Sequence, residues 1–385
     1  MFLIRHPILR SLFCSLTVLG IVHLPMFARA ADTTSTPPKA EARGVWLHPC
    51  SDFSADPAAG KQEIETFVKR VADANFNFLL PWVVSDYVAA LTDTNYQKAF
   101  PCAKWDSLGV LISAAHQRKL PVHIWYSFTY YKSARSPEFS PAHGGNLSWA
   151  ARTLGADKKV TSPNTDVCTS NPQARQWQLQ LIEQLLDRYP DIAGIHIEEP
   201  GYGYSGNCAC DGCQALFRQL FGGDLLAEIK GPQSEDLKCL GTTDFIRQLR
   251  ARLLKRNPKL ILSVNGGTSW RGDRTLGRDW RHWAELGWLD YYAAQCYTDN
   301  LSSFSSNMEQ VIADLSPTPV FAGIHIKSSS GTNPLSAILK EIENAQQHHA
   351  AGIILFSGKN LTDEHLSALK NGPFAMPALY PEIKR

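Results

Sequence analysis

The chain has 385 residues, 44% apolar and 19% charged, with a formal net charge of +2. That length suits one large or two ordinary domains. The near-neutral balance provides no basic stripe, which excludes a nucleic-acid partner.

In chain order, Arg5 and Arg10 lead into an apolar run from Ser11 to Phe27, and Ala28, Arg29 and Ala30 follow. This pattern predicts a signal peptide over residues 1–30, cleaved after Ala30. His23 and Pro25 break the run, so no stable membrane anchor is expected. Loss of Arg5, Arg10 and Arg29 takes the net charge just below zero. A periplasmic or secreted product is the expectation. Residues 31–40, rich in Thr and Pro, read as a flexible leader.

From Glu41 onward short apolar runs alternate with helical patterns, predicting one domain over 41–371 and a tail over 372–385. Eight strands are expected, at Arg43–Pro49, Asn75–Val84, Pro121–Phe128, Gly194–Pro200, Leu260–Gly266, Tyr291–Tyr297, Pro319–Ile326 and Gly352–Gly358. Between them, Ile64, Phe67, Val68 and Val71 share one helical face, as do Trp177, Leu181, Leu185 and Tyr189. Asn171 and Pro172 supply the cap and first turn of the second of these helices. Eight alternating units predict the α/β class and a single (β/α)8 TIM barrel. An open doubly wound sheet would want a Gly-rich first turn, which Arg43–Pro49 does not enter. The connection from Thr129 to Ser170 lacks a period. A long loop after strand 3 leaves the face where barrel active sites are built, and it reads as a wall or lid.

The strongest chemical signal is the run IAGIHIEEPG, Ile192–Gly201. Alternation places Ile195 and Ile197 on one side and His196 and Glu198 on the other. Two acids ending a buried apolar strand need a partner or a shifted pKa, and neighbouring acids repel, so one is expected to keep its proton. Glycoside hydrolysis uses such a division: one carboxyl protonates the leaving oxygen while another group stabilises the sugar carbon or activates water. The plainer reading is that both are ordinary strand-end acids entering a loop. No His stands at ligand spacing beside them for a metal site. Further candidates are Tyr297 and Asp299 after strand six, in parity with Gln295, together with Asn265 closing strand five. Asp86 follows strand two, and His325 and Lys327 close strand seven.

Several motifs together resemble the glycosyl hydrolase-like 10 family: EARGVWL at Glu41–Leu47, LGVLISAAH at Leu108–His116 followed by LPVHIW at Leu120–Trp125, Asn171–Pro172 with Arg175, GIHI at Gly194–Ile197, QCY at Gln295–Tyr297 and GIILFS at Gly352–Ser357. The likeness runs from about Glu41 to Ser357. It implies a (β/α)8 barrel and hydrolysis of envelope glycans, including peptidoglycan strands stripped of peptide. Where the family typically has DGIHLDD, this chain has Ala193 for the first Asp and Glu198 and Glu199 for the last two. Beyond the strand, Glu199, Gly201, the CACDGC run Cys208–Cys213 and Phe217 are similar to glycoside hydrolase family 42 β-galactosidases. That resemblance implies Glu199 as the general acid, with Glu198 in the place of an Asn. The nucleophilic Glu expected there at strand seven has no counterpart in Gly323–Lys327, so double displacement is not carried over. With a 2-acetamido sugar, the substrate's own carbonyl is the expected nucleophile, Glu198 orienting it and Glu199 protonating the leaving oxygen.

Nine cysteines are present, eight of them beyond Cys14. Cys208, Cys210 and Cys213 could be three ligands of a structural zinc, with Cys168 or Cys239 as a fourth. An exported chain favours disulfides instead. Among aromatics near strand ends, Trp125 and Trp270 are the best candidates for stacking on a pyranose ring, with Tyr202 beside them. His48, His116 and His123 read as core or capping residues. The expected function is an exported glycosidase acting on a polysaccharide or oligosaccharide without a cofactor. The alternatives are a non-catalytic glycan-binding barrel and a metal-dependent polysaccharide hydrolase or deacetylase.

Overall fold

The computed structural model describes residues 39–92, 105–127, 147–161, 167–202, 207–329 and 331–382. Eight parallel strands close into a barrel: β1 (Ala42–Leu47), β2 (Phe78–Val84), β3 (His123–Ser127), β4 (Gly194–Ile197), β5 (Ile261–Gly266), β6 (Tyr291–Gln295), β7 (Val320–His325) and β8 (Gly352–Phe356). Each pairs with its sequence neighbours, and β1 closes the ring on β8, with Ala42 opposite Gly352 and Trp46 opposite Phe356. The predicted (β/α)8 barrel is thus the observed fold, and each predicted strand overlaps an observed one.

Side-chain alternation divides the core in two. Val45, Ile124, Ile195, Ile197, Leu262 and Val264 face outward onto the helices, while Trp46, Phe78, Leu80, Trp125, Tyr291, Phe321 and Ile354 fill the interior. Gly323 is required inside: a Cβ there would lie 2.9 Å from Trp46 Cη2. Its absence lets the Trp46 indole cross the barrel and support the layer above. At the N-terminal end, Tyr380 packs its ring on Phe78 at 5.2 Å and His123 at 5.6 Å, and Leu379 bridges Ala40.

The helices begin where local chemistry permits. Asn171 accepts from Gln173 N and Ala174 N ahead of Pro172, capping Pro172–Arg188 as the sequence predicts. Asp56 does the same for Pro57–Asp73 through Ala59 N. The return of the long β3 connection contains a 3-10 turn at Leu147–Trp149 and antiparallel bridges Ala150–Val167 and Leu154–Val160. The remainder of that predicted wall or lid, and the signal peptide and leader up to residue 38, lie outside the described residues.

Candidate active site

The residues after β4 carry the two acids to the C-terminal mouth of the barrel. Ile197 is the last strand residue, and the Glu198 amide still bonds Tyr126 O at 2.9 Å. The Glu198 side chain continues the inward series of Gly194 and His196. Its Oε2 accepts from Asn265 Nδ2 at 2.6 Å and from the Trp125 indole N–H. Oε1 is left as the oxygen that neither donor engages. Asn265 also accepts the Glu199 amide at 2.8 Å, so one side chain from β5 fixes both acids. Burial pushes the Glu198 carboxyl up to about 7; the charge of Glu199 adds to the push, and Asn265, Trp125 and Arg278 pull against it.

Glu199 turns the other way. Its φ of +34° breaks the strand alternation. The side chain meets Arg278, whose Nη2 donates to Oε2 at 2.9 Å. Arg278 is almost fully buried and also donates to Asp273 Oδ1 at 3.2 Å. Asp273 in turn accepts from Trp280 Nε1 at 2.9 Å and Gly267 N at 2.7 Å. The chain then turns at Gly201, whose φ of +144° and approach to Leu276 O leave no room for a Cβ. Two adjacent acids therefore have different surroundings: one neutral donors and aromatic rings, the other a buried guanidinium.

Around Glu198 the strand ends build an aromatic floor. His48 stands 5.3 Å from Trp82, 5.2 Å from Trp125 and 6.0 Å from Phe356, ring centre to ring centre. Tyr297 stacks on Phe356 at 5.7 Å and lies 5.5 Å from His325. Burial and the charges of Glu198 and Glu199 hold the Tyr297 phenol well above its ordinary pKa, which places this hydroxyl in the field of both acids. Burial lowers the His48 pKa against the pull of Asp52, so a neutral imidazole faces the mouth.

The structure thus brings Glu198, Glu199, Trp125, Asn265 and Tyr297 together, and Gln295 shares the inward side of β6 with Tyr291 and Ala293. Other sequence candidates lie elsewhere. His196 is fully buried one layer below, bonded to Ser263 Oγ at 2.8 Å and stacked on Tyr291, so it supports the floor and has no surface to offer a substrate. Tyr202 is likewise fully buried, its hydroxyl 3.8 Å from Cys168 Sγ in a separate cluster. Trp270 donates to Asp279 Oδ1 at 2.8 Å and lies beneath the guanidinium of Arg281, at 5.5 Å, among the helices after β5. Asp299 is exposed, and the groups on which its charge acts are His325 and Glu341. The Asp86 side chain lies outside the described set.

Sequence reasoning set His48 aside and missed Arg278 and Phe356. Position alone signals His48 and Phe356, since His48 directly follows β1 and Phe356 ends β8; Arg278 follows β5 in a loop without a motif. The preference for disulfides at the cysteine cluster is corrected. Cys168 Sγ lies 3.5 Å from Cys213 Sγ and 3.8 Å from Cys210 Sγ, far beyond the bonded distance of about 2.0 Å. Cys239 is elsewhere, facing Arg274 O. Cys50 is disulfide-bonded.

Comparison with solved structures gives the same architecture. The PgaB (BpsB) glycoside hydrolase domain from Bordetella bronchiseptica superposes with a TM-score of 0.62 at 12% identity, over 89% of this chain and 100% of that one. The β-galactosidase from Bacillus circulans sp. alkalophilus gives 0.58 at 14% identity, over 83% and 50%. That from the psychrophilic Marinomonas ef1 gives 0.60 at 11%, over 82% and 54%. At these identities the likeness is one of fold. No curated protein matches the chain. The family model for glycosyl hydrolase-like 10 matches residues 41–334, spanning every strand through β7, and the chain therefore belongs to that family.

Proposed function

We propose that this chain is an exported glycosidase that cleaves an amino-sugar-containing envelope polysaccharide, with peptide-free peptidoglycan strands as the first substrate to test. The observation that carries this reading is Glu198: a carboxyl at the barrel mouth, ringed by aromatic faces, with a pKa near 7. Such a group is protonated in part at neutral pH and can still give its proton up, as a general acid must. The sequence-based assignment of Glu199 as acid is therefore exchanged with that of Glu198. Oε1 of Glu198 donates the proton to the glycosidic oxygen as its bond to the sugar carbon breaks. The substrate's acetamido carbonyl oxygen closes on that carbon from the opposite face, and Glu199, bonded to Arg278, orients and stabilises that group. Water then opens the ring so formed and returns a proton to Glu198.

Trp82 and Phe356 would form the stacking surface for the pyranose, backed by the buried Trp125, with Gln295, Tyr297 and His48 as polar handles. Signal-peptide cleavage after Ala30 and periplasmic or secreted location belong to the same proposal. No helix among the described residues is long and apolar enough to cross a membrane.

A non-catalytic glycan-binding barrel is the second reading, favoured by one observation: the inward residue that ends β7 is His325 and not a carboxylate. Incubating the mature chain with peptide-free peptidoglycan strands and a panel of plant and microbial polysaccharides, and following new reducing ends by mass spectrometry, separates the two. Release abolished by Glu198→Gln supports hydrolysis. Binding without release, indifferent to that substitution, supports the binding barrel. The metal-dependent reading draws no support, since the metal-ligating group found among the described residues consists of cysteines outside the mouth.

A further inference from the structure

We propose that Cys168, Cys208, Cys210 and Cys213 hold one tetrahedral zinc ion that clamps the returning end of the β3 connection to the loop leaving Glu199. The inference stands on geometry and does not depend on the glycosidase reading. The four sulfurs lie within 4.8 Å of one another. A zinc–thiolate bond of about 2.3 Å sets a tetrahedral edge of about 3.8 Å. The Cys168–Cys210 and Cys168–Cys213 separations, 3.8 and 3.5 Å, match that edge. Cys168, Cys208 and Cys213 are buried, so three thiols converge where each lacks water. Apolar packing does not require sulfur atoms to share one centre; a common cation does.

The surroundings suit a site of net negative charge, as four thiolates on a divalent ion would be. Cys210 is the N-cap of the helix Asp211–Phe221, and its first turn contains Gly212 and Cys213, where the helix dipole favours thiolate. Arg152 lines the adjoining cavity of about 570 Å³, with Ser170, Asn171 and Gln219. That cavity gives an ion a route to Cys210, the partly exposed member of the four. Four protein ligands leave no open coordination position, so the ion is structural and takes no part in chemistry.

Its mechanical role follows from what is tied to it. The Tyr202 hydroxyl lies 3.8 Å from Cys168 Sγ and 3.5 Å from Ser170 Oγ, and the Tyr202 amide donates to Leu276 O at 2.7 Å. Leu276 stands two residues before Arg278, the partner of Glu199. The clamp therefore fixes the turn on which the Glu199–Arg278 pair depends.

The test begins with the unaltered protein purified under reducing conditions. Elemental analysis is expected to find one zinc per chain, and titrating the thiols with a mercurial to release it. Replacement by cobalt(II) should give thiolate-to-metal charge transfer and the ligand-field bands of a tetrahedral site. Cys168→Ser and Cys210→Ser should each weaken binding at least tenfold, while Cys239→Ser retains the full complement. Peptide mapping that shows a disulfide between two of the four in folded protein would overturn the proposal. So would folded protein whose four thiols alkylate freely in the presence of zinc, or equal metal loss from Cys239→Ser.

Discussion

Glu199→Gln removes one negative charge beside Glu198 and leaves the shape of the site nearly unchanged. Arg278 keeps Asp273 as a partner at 3.2 Å, so the substitution does not strand a buried cation. Burial is the first cause of the raised Glu198 pKa and persists in the variant; the repulsion from Glu199 does not. At an effective dielectric of about 20, neighbouring carboxylates repel by about 2–4 kcal/mol. Arg278 already offsets part of this, leaving a net release of about one pKa unit, or about 1.4 kcal/mol. A general acid works protonated, so kcat/KM falls as pH rises through its pKa. The alkaline limb should stand near pH 7 in the unaltered chain and about one unit lower in Glu199→Gln. Arg278→Gln, which removes the opposing charge, should move it up. The assay is reducing-end release across pH 4–9 on the substrate found by the panel. A limb that stays in place in Glu199→Gln, or turnover that survives Glu198→Gln and vanishes with Glu199→Gln, would refute the assignment of the proton to Glu198.

Trp125→Phe keeps the aromatic floor and deletes the indole N–H given to Glu198 Oε2. That donor favours the charged carboxylate, so the limb should rise by up to about one unit, and a fall would contradict it. Glu341, buried on the helix Leu335–Gln347 and bonded by Asn333 Nδ2 at 2.8 Å, also has its pKa pushed up to about 7 by burial. Between 4.5 and 7 the folded chain binds the proton that the unfolded chain has lost, so its contribution to stability is full below 4.5 and lost as pH rises through 7. Glu341→Gln should therefore narrow the gap in unfolding free energy between pH 5 and pH 8 by about 2–3 kcal/mol; denaturant curves at both pH values check this, and an unaltered gap refutes it. Gly201→Ala places a Cβ 2.4 Å from Leu276 O at a φ that L-residues avoid. A loss of about 1–3 kcal/mol is expected, and an unmoved denaturant midpoint would show that the turn yields freely.

The barrel was legible because each strand is a short apolar run buried on both faces and the helices between carry a 3.6 period, and these are local properties. Asn171 and Pro172 announced their helix for the same reason. Ile195 and Ile197 faced the helices, and His196 and Glu198 the interior, as alternation requires. Alternation also explains the misplaced residues. It shows which side of a strand His196 occupies, but not the layer, and only the closed ring with Trp46 and Tyr291 above and beside it fixes that depth. Tyr202 and Trp270 lie past the strand ends, where the period stops carrying information. The choice between Cys168 and Cys239 had no local signal at all, because it depends on how a loop some forty residues upstream returns.

The proposed division of labour between the two acids lay beyond the sequence for an electrostatic reason. Adjacent Glu residues announce repulsion but not which one yields. That choice is made by Arg278, 79 residues from Glu199 in the chain. One guanidinium faces three acids here: it bonds Glu199 and Asp273 directly and reaches Glu198 only through the field. One cation does not balance three negative charges in a buried setting, and a proton on the acid without contact to it reduces the excess at least cost. Glu198, held by an indole and an amide that donate without carrying charge, is that acid. A lysine or arginine brought within contact of Glu198, for instance by Gln295→Lys on the inward side of β6, should abolish the raised pKa and with it general-acid activity at neutral pH. If such a variant kept its alkaline limb near 7, charge balance would not be what keeps the proton there.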